Sequence, residues 1–187
     1  TEFTKGKYIE AGIPAGAISV KPHFVEDPGK PKEIQQRKHA LFIGRLSHEK
    51  GIKTLLEAWK GIKDLPLYIM GKGPMEAQIK EYIRTYKLDN VVLLCSTDRQ
   101  IYQDLMRQAK FIIIPSLCYE NFPRVVVEAF AYGVAVLASR RGSLPEVVSE
   151  GRTGVLFEPG DSSDLAVKAR FLEKHPEYGD NARKEYE

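Results

Sequence analysis

Two cysteines, one tryptophan and four histidines in 187 residues leave little for metal or redox chemistry to use. Cys95 and Cys118 lie in or just after apolar runs, where a reduced thiol packs as a small hydrophobe. No Cys-x-x-Cys and no His/Cys cluster occurs, and His23, His39, His48 and His175 form no pair at metal-ligand spacing. Asp-x-Asp is missing as well, so no metal held by paired carboxylates is expected, and no cofactor is called for. The P-loop pattern is absent. No apolar run approaches the ~20 residues of a membrane span. The opening Thr1-Glu2-Phe3-Thr4-Lys5 does not read as a signal peptide. Net charge is +3, with acids and bases interspersed, which is too mild to argue for a nucleic-acid partner. A reducing, cytoplasmic setting is the expectation.

What is present is ordered. Hydrophobic residues at 43% and charged residues at 28% give the profile of a globular domain of ordinary size. Leu41-Phe42-Ile43 ends at Gly44, and a helical pattern follows over 52–62. Leu67-Tyr68-Ile69-Met70 ends at Gly71, with a helix over 75–86. Val91-Val92-Leu93-Leu94 leads to a helix over 101–109, and Phe111-Ile112-Ile113-Ile114 to one over 122–132. Val134-Ala135-Val136-Leu137 and Gly154-Val155-Leu156-Phe157 are two further strands, with a helix over 165–173. Short continuous apolar strands require burial on both faces, and βαβ order makes the sheet parallel. The fold expected is a doubly wound, mostly parallel α/β Rossmann-like sheet with helices on both faces. Ligands in such folds bind at the carboxyl ends of the strands, so a site is sought near Gly44, Gly71 and Pro115.

The flanks differ. Residues 1–25 contain a helix-like segment, a break at Gly12-Ile13-Pro14 and a short run Ile18-Ser19-Val20. Residues 26–38 read as a polar, proline-bearing linker before a domain over 39–187. Beyond Glu173 the chain is charged with few apolar anchors, as in a surface helix or a frayed end.

Two carboxylates eight positions apart, Glu120 and Glu128, bracket the start of a helix near Pro123. A glutamate ahead of a helix can reach a ligand's hydroxyls while the helix's free N–H groups face its phosphate. The bland alternative is a surface Glu120, with Glu128 paired to a base on its own helix. Gly44-Arg45-Leu46-Ser47-His48-Glu49-Lys50-Gly51 sets two cations around a strand-to-helix turn. A cation near a helix N-terminus is unfavourable by up to ~1 kcal/mol, and an incoming diphosphate reverses that sign. A solvated basic loop with Glu49 as local partner is the alternative. Gly71-Lys72-Gly73-Pro74 is no dinucleotide fingerprint, because Glu76 occupies the place of the third glycine.

In order, Gly44-Arg45…Glu49-Lys50-Gly51, Gly71-Lys72-Gly73-Pro74, Pro115-Ser116, Glu120…Glu128-Ala129, Gly133, Gly142…Glu146 and Gly151…Gly154…Pro159-Gly160-Asp161 resemble the C-terminal domain of family 4 glycosyltransferases. These are retaining enzymes of the GT-B architecture. The resemblance implies that Arg45 and Lys50 bind the donor's diphosphate. It implies that Glu120 contacts the transferred sugar near the reacting carbon and that Glu128 binds the nucleotide ribose. Backbone amides at Asn121, Phe122, Arg124 and Val125 would hold sugar and phosphate, and Ser96 and Thr97 would lie by the base. The function so implied is transfer of a hexosyl group from a nucleoside diphosphate sugar to an acceptor hydroxyl. Glu120, Arg45 and Lys50 would carry it in an enzyme whose N-terminal acceptor domain is a partner outside this chain. Residues 1–25 would be the end of that domain and its crossover, and the chain an excised domain or a split-gene product that transfers little alone. Peripheral membrane association of the full enzyme stays open, as do donor base, sugar and acceptor. A non-catalytic nucleotide-binding module and half of a nucleotide-sugar epimerase are the competing readings. Two positions depart from the pattern: Pro123 replaces a common glycine, and Leu94-Cys95-Ser96-Thr97 a more usual Phe-x-Gly turn.

Overall fold

The computed structural model describes residues 1–29 and 37–187. Helix α1 (Glu2–Glu10) and a 3-10 turn at Ala15–Ala17 precede the main body. Six strands follow: β1 (His39–Ile43), β2 (Leu67–Met70), β3 (Val91–Leu94), β4 (Ala109–Ile114), β5 (Ala135–Ser139) and β6 (Gly154–Phe157). Every pairing is parallel, in the order β3-β2-β1-β4-β5-β6. The chain order reverses between β1 and β4, which opens a crevice at their carboxyl ends.

Period two along each strand sends alternate side chains to two cores. Ala40, Phe42, Phe111 and Ile113 join one face with residues of α2 (Ile52–Trp59), α3 (Glu76–Thr85) and α7 (Ser162–Glu173). Leu41, Ile112 and Ile114 join the other with residues of α4 (Arg99–Gln108), α5 (Arg124–Ala131) and α8 (Glu177–Tyr186). Burial on both faces is why the strands carry no polar alternation. A one-turn helix, α6 (Leu144–Val147), lies between β5 and β6.

The expected strands and helices are all present, with boundaries moved for identifiable reasons. Ala109 is extended and opens β4 rather than closing α4, because it pairs with His39 of β1. Pro123 is the N-cap of α5, so Phe122 stands outside that helix. The run Ile18-Ser19-Val20 forms no strand. The charged tail is a docked helix: Ala182 is fully buried, and Tyr186 Oη donates to Val25 O at 2.9 Å.

Of the expected linker, residues 30–36 lie outside the described residues, and the parts on either side are held to the body. Arg183 of α8 grips the Asp27 carboxylate through two hydrogen bonds of 2.8 Å. Arg37 donates to Ala109 O, Tyr132 O and Gly133 O at 2.7, 3.1 and 2.7 Å. Polar, proline-bearing composition marks a segment without regular structure; it does not say whether its side chains find partners.

Candidate functional site

A cavity of about 910 Å³ opens at the carboxyl ends of β1, β2 and β3. Its floor is made by the strand-end residues Ile43, Gly44, Met70 and Gly71. A side chain at Gly71 would put its Cβ 1.9 Å from Gly44 O, so the turns after β1 and β2 approach as closely as bare backbone allows. The glycine in Gly71-Lys72-Gly73-Pro74 is thus a packing requirement. The opposite walls come from α4, from Arg124 and Glu128 of α5, and from 25–28, the segment pinned by α8.

Cations outnumber acids on these walls. Arg45, Lys72, Arg99, Arg107 and Arg124 face Glu26, Asp27 and Glu128. Three of the cations are held locally, Arg99 by Glu26 at 3.8 Å, Arg107 by Asp104 at 3.4 Å and Arg124 by Glu128 at 3.6 Å, with the Arg107 guanidinium 5.7 Å from the Tyr132 ring. Neither Arg45 nor Lys72 is ion-paired at that range among the described residues. A surplus of cations in a concave site at strand ends favours an anionic ligand.

Glu128 stands one turn into α5, where Tyr102 Oη donates to its Oε2 at 2.6 Å and Arg124 lies 3.6 Å from its Oε1. The Tyr102 phenol is pushed well above its usual range, first by burial and then by this hydrogen bond, so it remains a donor at any working pH.

Outside the lining of that cavity, Lys50 Nζ donates to Glu120 Oε1 at 2.6 Å. Ser116 Oγ bonds the same oxygen. The pair is largely buried, at 28% and 14% side-chain exposure. Seventy residues separate its members, and backbone contacts bring them together. Leu117 N donates to Glu49 O at 2.8 Å, Ser139 Oγ to Ser116 O at 2.7 Å, and Ser143 N to Glu120 O at 3.2 Å. Gly51 makes the first contact feasible. Its φ is +69°, and a Cβ there would lie 1.8 Å from Pro115 O. Glu49 does not serve Lys50; its carboxylate accepts from Ser47 Oγ at 2.6 Å, and that bond holds its pKa below the usual carboxylate range.

Gly44, Arg45, Ser96, Thr97, Arg124 and Glu128 therefore share one cavity, while Lys50 and Glu120 pair with each other outside its lining. Asn121, Phe122 and Val125 are not among the residues that line that cavity. Asn121 Oδ1 accepts from Thr4 Oγ1 at 2.7 Å, and the Phe122 ring meets His23 edge-on at 5.5 Å. Both side chains face the N-terminal segment. The α5 N-terminus carries no side-chain cap, which leaves its first amides to another partner. Glu146 serves the other helix end nearby, its carboxylate accepting from Glu2 N and Phe3 N at 2.8 and 2.9 Å. Tyr102, Lys72 and Ser116 are site residues to which sequence reasoning gave no role. For Tyr102 a signal existed: it precedes Leu105 and Met106 by three and four positions, on the buried face of α4. A hydroxyl on such a face needs a partner. Among the described residues, no group of three His, Cys, Asp or Glu could hold a metal ion. No helix among them is long and apolar enough to cross a membrane.

Comparison with known proteins gives this site a context. The 2-deoxystreptamine N-acetyl-D-glucosaminyltransferase of Niallia circulans is 29% identical over 142 residues, covering 73% of this chain and 36% of that protein. The lipopolysaccharide 1,2-N-acetylglucosaminetransferase of Salmonella typhimurium is 30% identical, covering 88% and 49%. The chain therefore spans about half or less of the length of these curated relatives. Among solved structures, Anabaena Alr3699/HepE in complex with UDP superposes with a TM-score of 0.86 at 24% identity, over all of this chain and 57% of that one. That likeness bears on the fold, the Rossmann-like half of a GT-B architecture. Residues 24–186 match the family described as glycosyl transferases group 1, and the chain belongs to that family.

Proposed function

We propose that this domain binds the nucleoside diphosphate sugar of a retaining hexosyltransferase that needs no metal for donor binding. The observation that carries the reading is the cation-rich cavity at the strand ends, with Glu128 inside it and the Lys50–Glu120 pair joining the turn that follows Arg45 to the segment that precedes Arg124. The relatives named as N-acetylglucosaminyltransferases and the structural neighbour that holds UDP point the same way. The acceptor hydroxyl and the domain that presents it belong to the longer enzyme implied by those relatives. Two free cysteines agree with a cytoplasmic setting.

In this reading Glu128 accepts from the ribose hydroxyls, Ser96 and Thr97 lie by the base, and Arg45 and Lys50 meet the diphosphate. Backbone amides at the uncapped α5 terminus add to them. Transfer breaks the bond between the sugar's anomeric carbon and the diphosphate oxygen. Groups that hold the sugar must therefore lie next to groups that hold the phosphate, and a 2.6 Å contact between Lys50 and Glu120 provides that adjacency. As the bond breaks, negative charge grows on the departing diphosphate, and preorganised cations stabilise it. Glu120 then orients the sugar's hydroxyls. Water exclusion is left to closure of the complete enzyme.

The test is isothermal titration of the chain with UDP, GDP, ADP and their sugar conjugates, in a chelator. Saturable binding of one nucleotide family is expected. Lys50→Ala should weaken it roughly ten- to a hundredfold, the value of a charge-assisted hydrogen bond. Glu120→Ala should erase only the added affinity of the sugar form. Binding that appears only with a divalent ion, or a Lys50→Ala variant with wild-type affinity, overturns the assignment. Donor binding without transfer in the complete enzyme would favour a non-catalytic binding module.

A further inference from the structure

Glu128 has two neighbours that compete for its carboxylate. Arg124, four residues earlier on α5, is 66% exposed and lies 3.6 Å from Oε1. Tyr102, from a different helix, donates to Oε2 at 2.6 Å and lines the same cavity. An exposed i,i+4 pair on a flexible arginine is weak and fixes the carboxylate in no single orientation. The phenol is a rigid donor with few torsions to freeze, on a ring that packs against the core residues of its face. Its place is set upstream: Asp98 caps α4 by accepting from Gln100 N and Ile101 N at 2.8 and 3.0 Å, which puts Tyr102 in the first full turn.

We propose that Tyr102 is a positioning residue: it locks Glu128 so that the free lone pairs of the carboxylate face the cavity and accept a vicinal diol. The domain is thereby selective for ribonucleoside over 2′-deoxyribonucleoside diphosphates. This rests on the reading of Glu128 as the ribose acceptor. A carboxylate held only by the exposed Arg124 side chain must be ordered each time a ligand binds, and that ordering cost falls on the diol contact alone.

Isothermal titration of the chain with UDP, GDP, ADP and their 2′-deoxy counterparts, on wild type, Tyr102→Phe and Glu128→Ala, tests it. The wild type should prefer the ribonucleotide roughly tenfold or more, as expected for a hydrogen bond to a charged group. Tyr102→Phe should bring that ratio to within about threefold of unity. Its affinity for the 2′-deoxy form should stay close to that of wild type. A merely structural role would lower both affinities together, and that result overturns the proposal. Full discrimination in Tyr102→Phe, alongside its collapse in Glu128→Ala, refutes the positioning role and leaves the ribose reading intact. No discrimination in the wild type removes the ribose reading and the proposal with it. Tyr102→Phe deletes a single oxygen, and its thermal unfolding midpoint reports that the fold is kept.

Discussion

Lys50 and Glu120 illustrate what one residue's neighbours decide. An ammonium and a carboxylate this buried neutralise each other, so a diphosphate that draws on Lys50 must share it with Glu120. His39 shows the opposite case, a titratable group with no counter-ion among the described residues. It is 4% exposed, its Nε2 lies 3.1 Å from Leu105 O, and its ring packs against Tyr68 at 4.6 Å. Burial, with a smaller push from Lys38, lowers its pKa from 6.5 to about 4. Between those values the unfolded chain binds a proton that the folded chain refuses. Stability is therefore complete above pH 6.5 and falls as pH drops toward 4, by about 3 kcal/mol over the window. Urea titrations at pH 7 and pH 4.5 should show that loss, and His39→Phe should remove most of this slope.

Among the elements, α4 and α5 reach the site by different means. Helix α4 is capped by a side chain, Asp98, whereas α5 begins at Pro123 with none. Removing a cap costs typically ~1 kcal/mol. Asp98→Ala and Asp161→Ala, the matching cap on α7, should each lower the thermal midpoint by about 2–4 °C. Only Asp98→Ala should also weaken nucleotide binding, because α7 lies away from the cavity while α4 carries Tyr102. Equal binding by both variants would separate the α4 cap from the site. Pro123 removes one N–H where a glycine would keep it, yet it starts the helix cleanly as an N-cap.

Across the whole molecule, the two ends of the chain close one wall of the cavity. Segment 25–28 lines it, and α8 holds that segment through Arg183–Asp27 and Tyr186–Val25. Arg183 also donates to Ala131 O, so one guanidinium links segment, α5 and α8. Arg183→Ala should lower stability by about 1–3 kcal/mol, the cost of unmet charged hydrogen bonds. Hydrogen exchange should rise over 24–29 and in α8, while the amides of β1 and β4 stay protected. Uniform change across the sheet would show that α8 belongs to the cooperative core.

The order of strands and helices was legible because it is local: apolar runs of three or four residues, three of them ending at glycine or proline, repeat along the chain, and burial on both faces leaves no other pattern for them. Gly44, Arg45 and Glu128 could be placed near such a site from a strand end and a helix start, whereas Ser96, Thr97 and Arg124 were implied by the family resemblance. The partners were not legible. That Glu120 meets Lys50 seventy residues away, and Glu128 meets Tyr102 across two helices, depends on strand order and on how loops dock. Nor could composition reveal that Asp27 and Arg37, on the described flanks of a polar, proline-bearing segment, are tied to the body. The sequence by itself determined the parallel sheet, the strand ends and the kinds of side chain gathered there. Only the tertiary structure decided which of those side chains touch, because contact between distant residues is set by packing, and packing has no local signature.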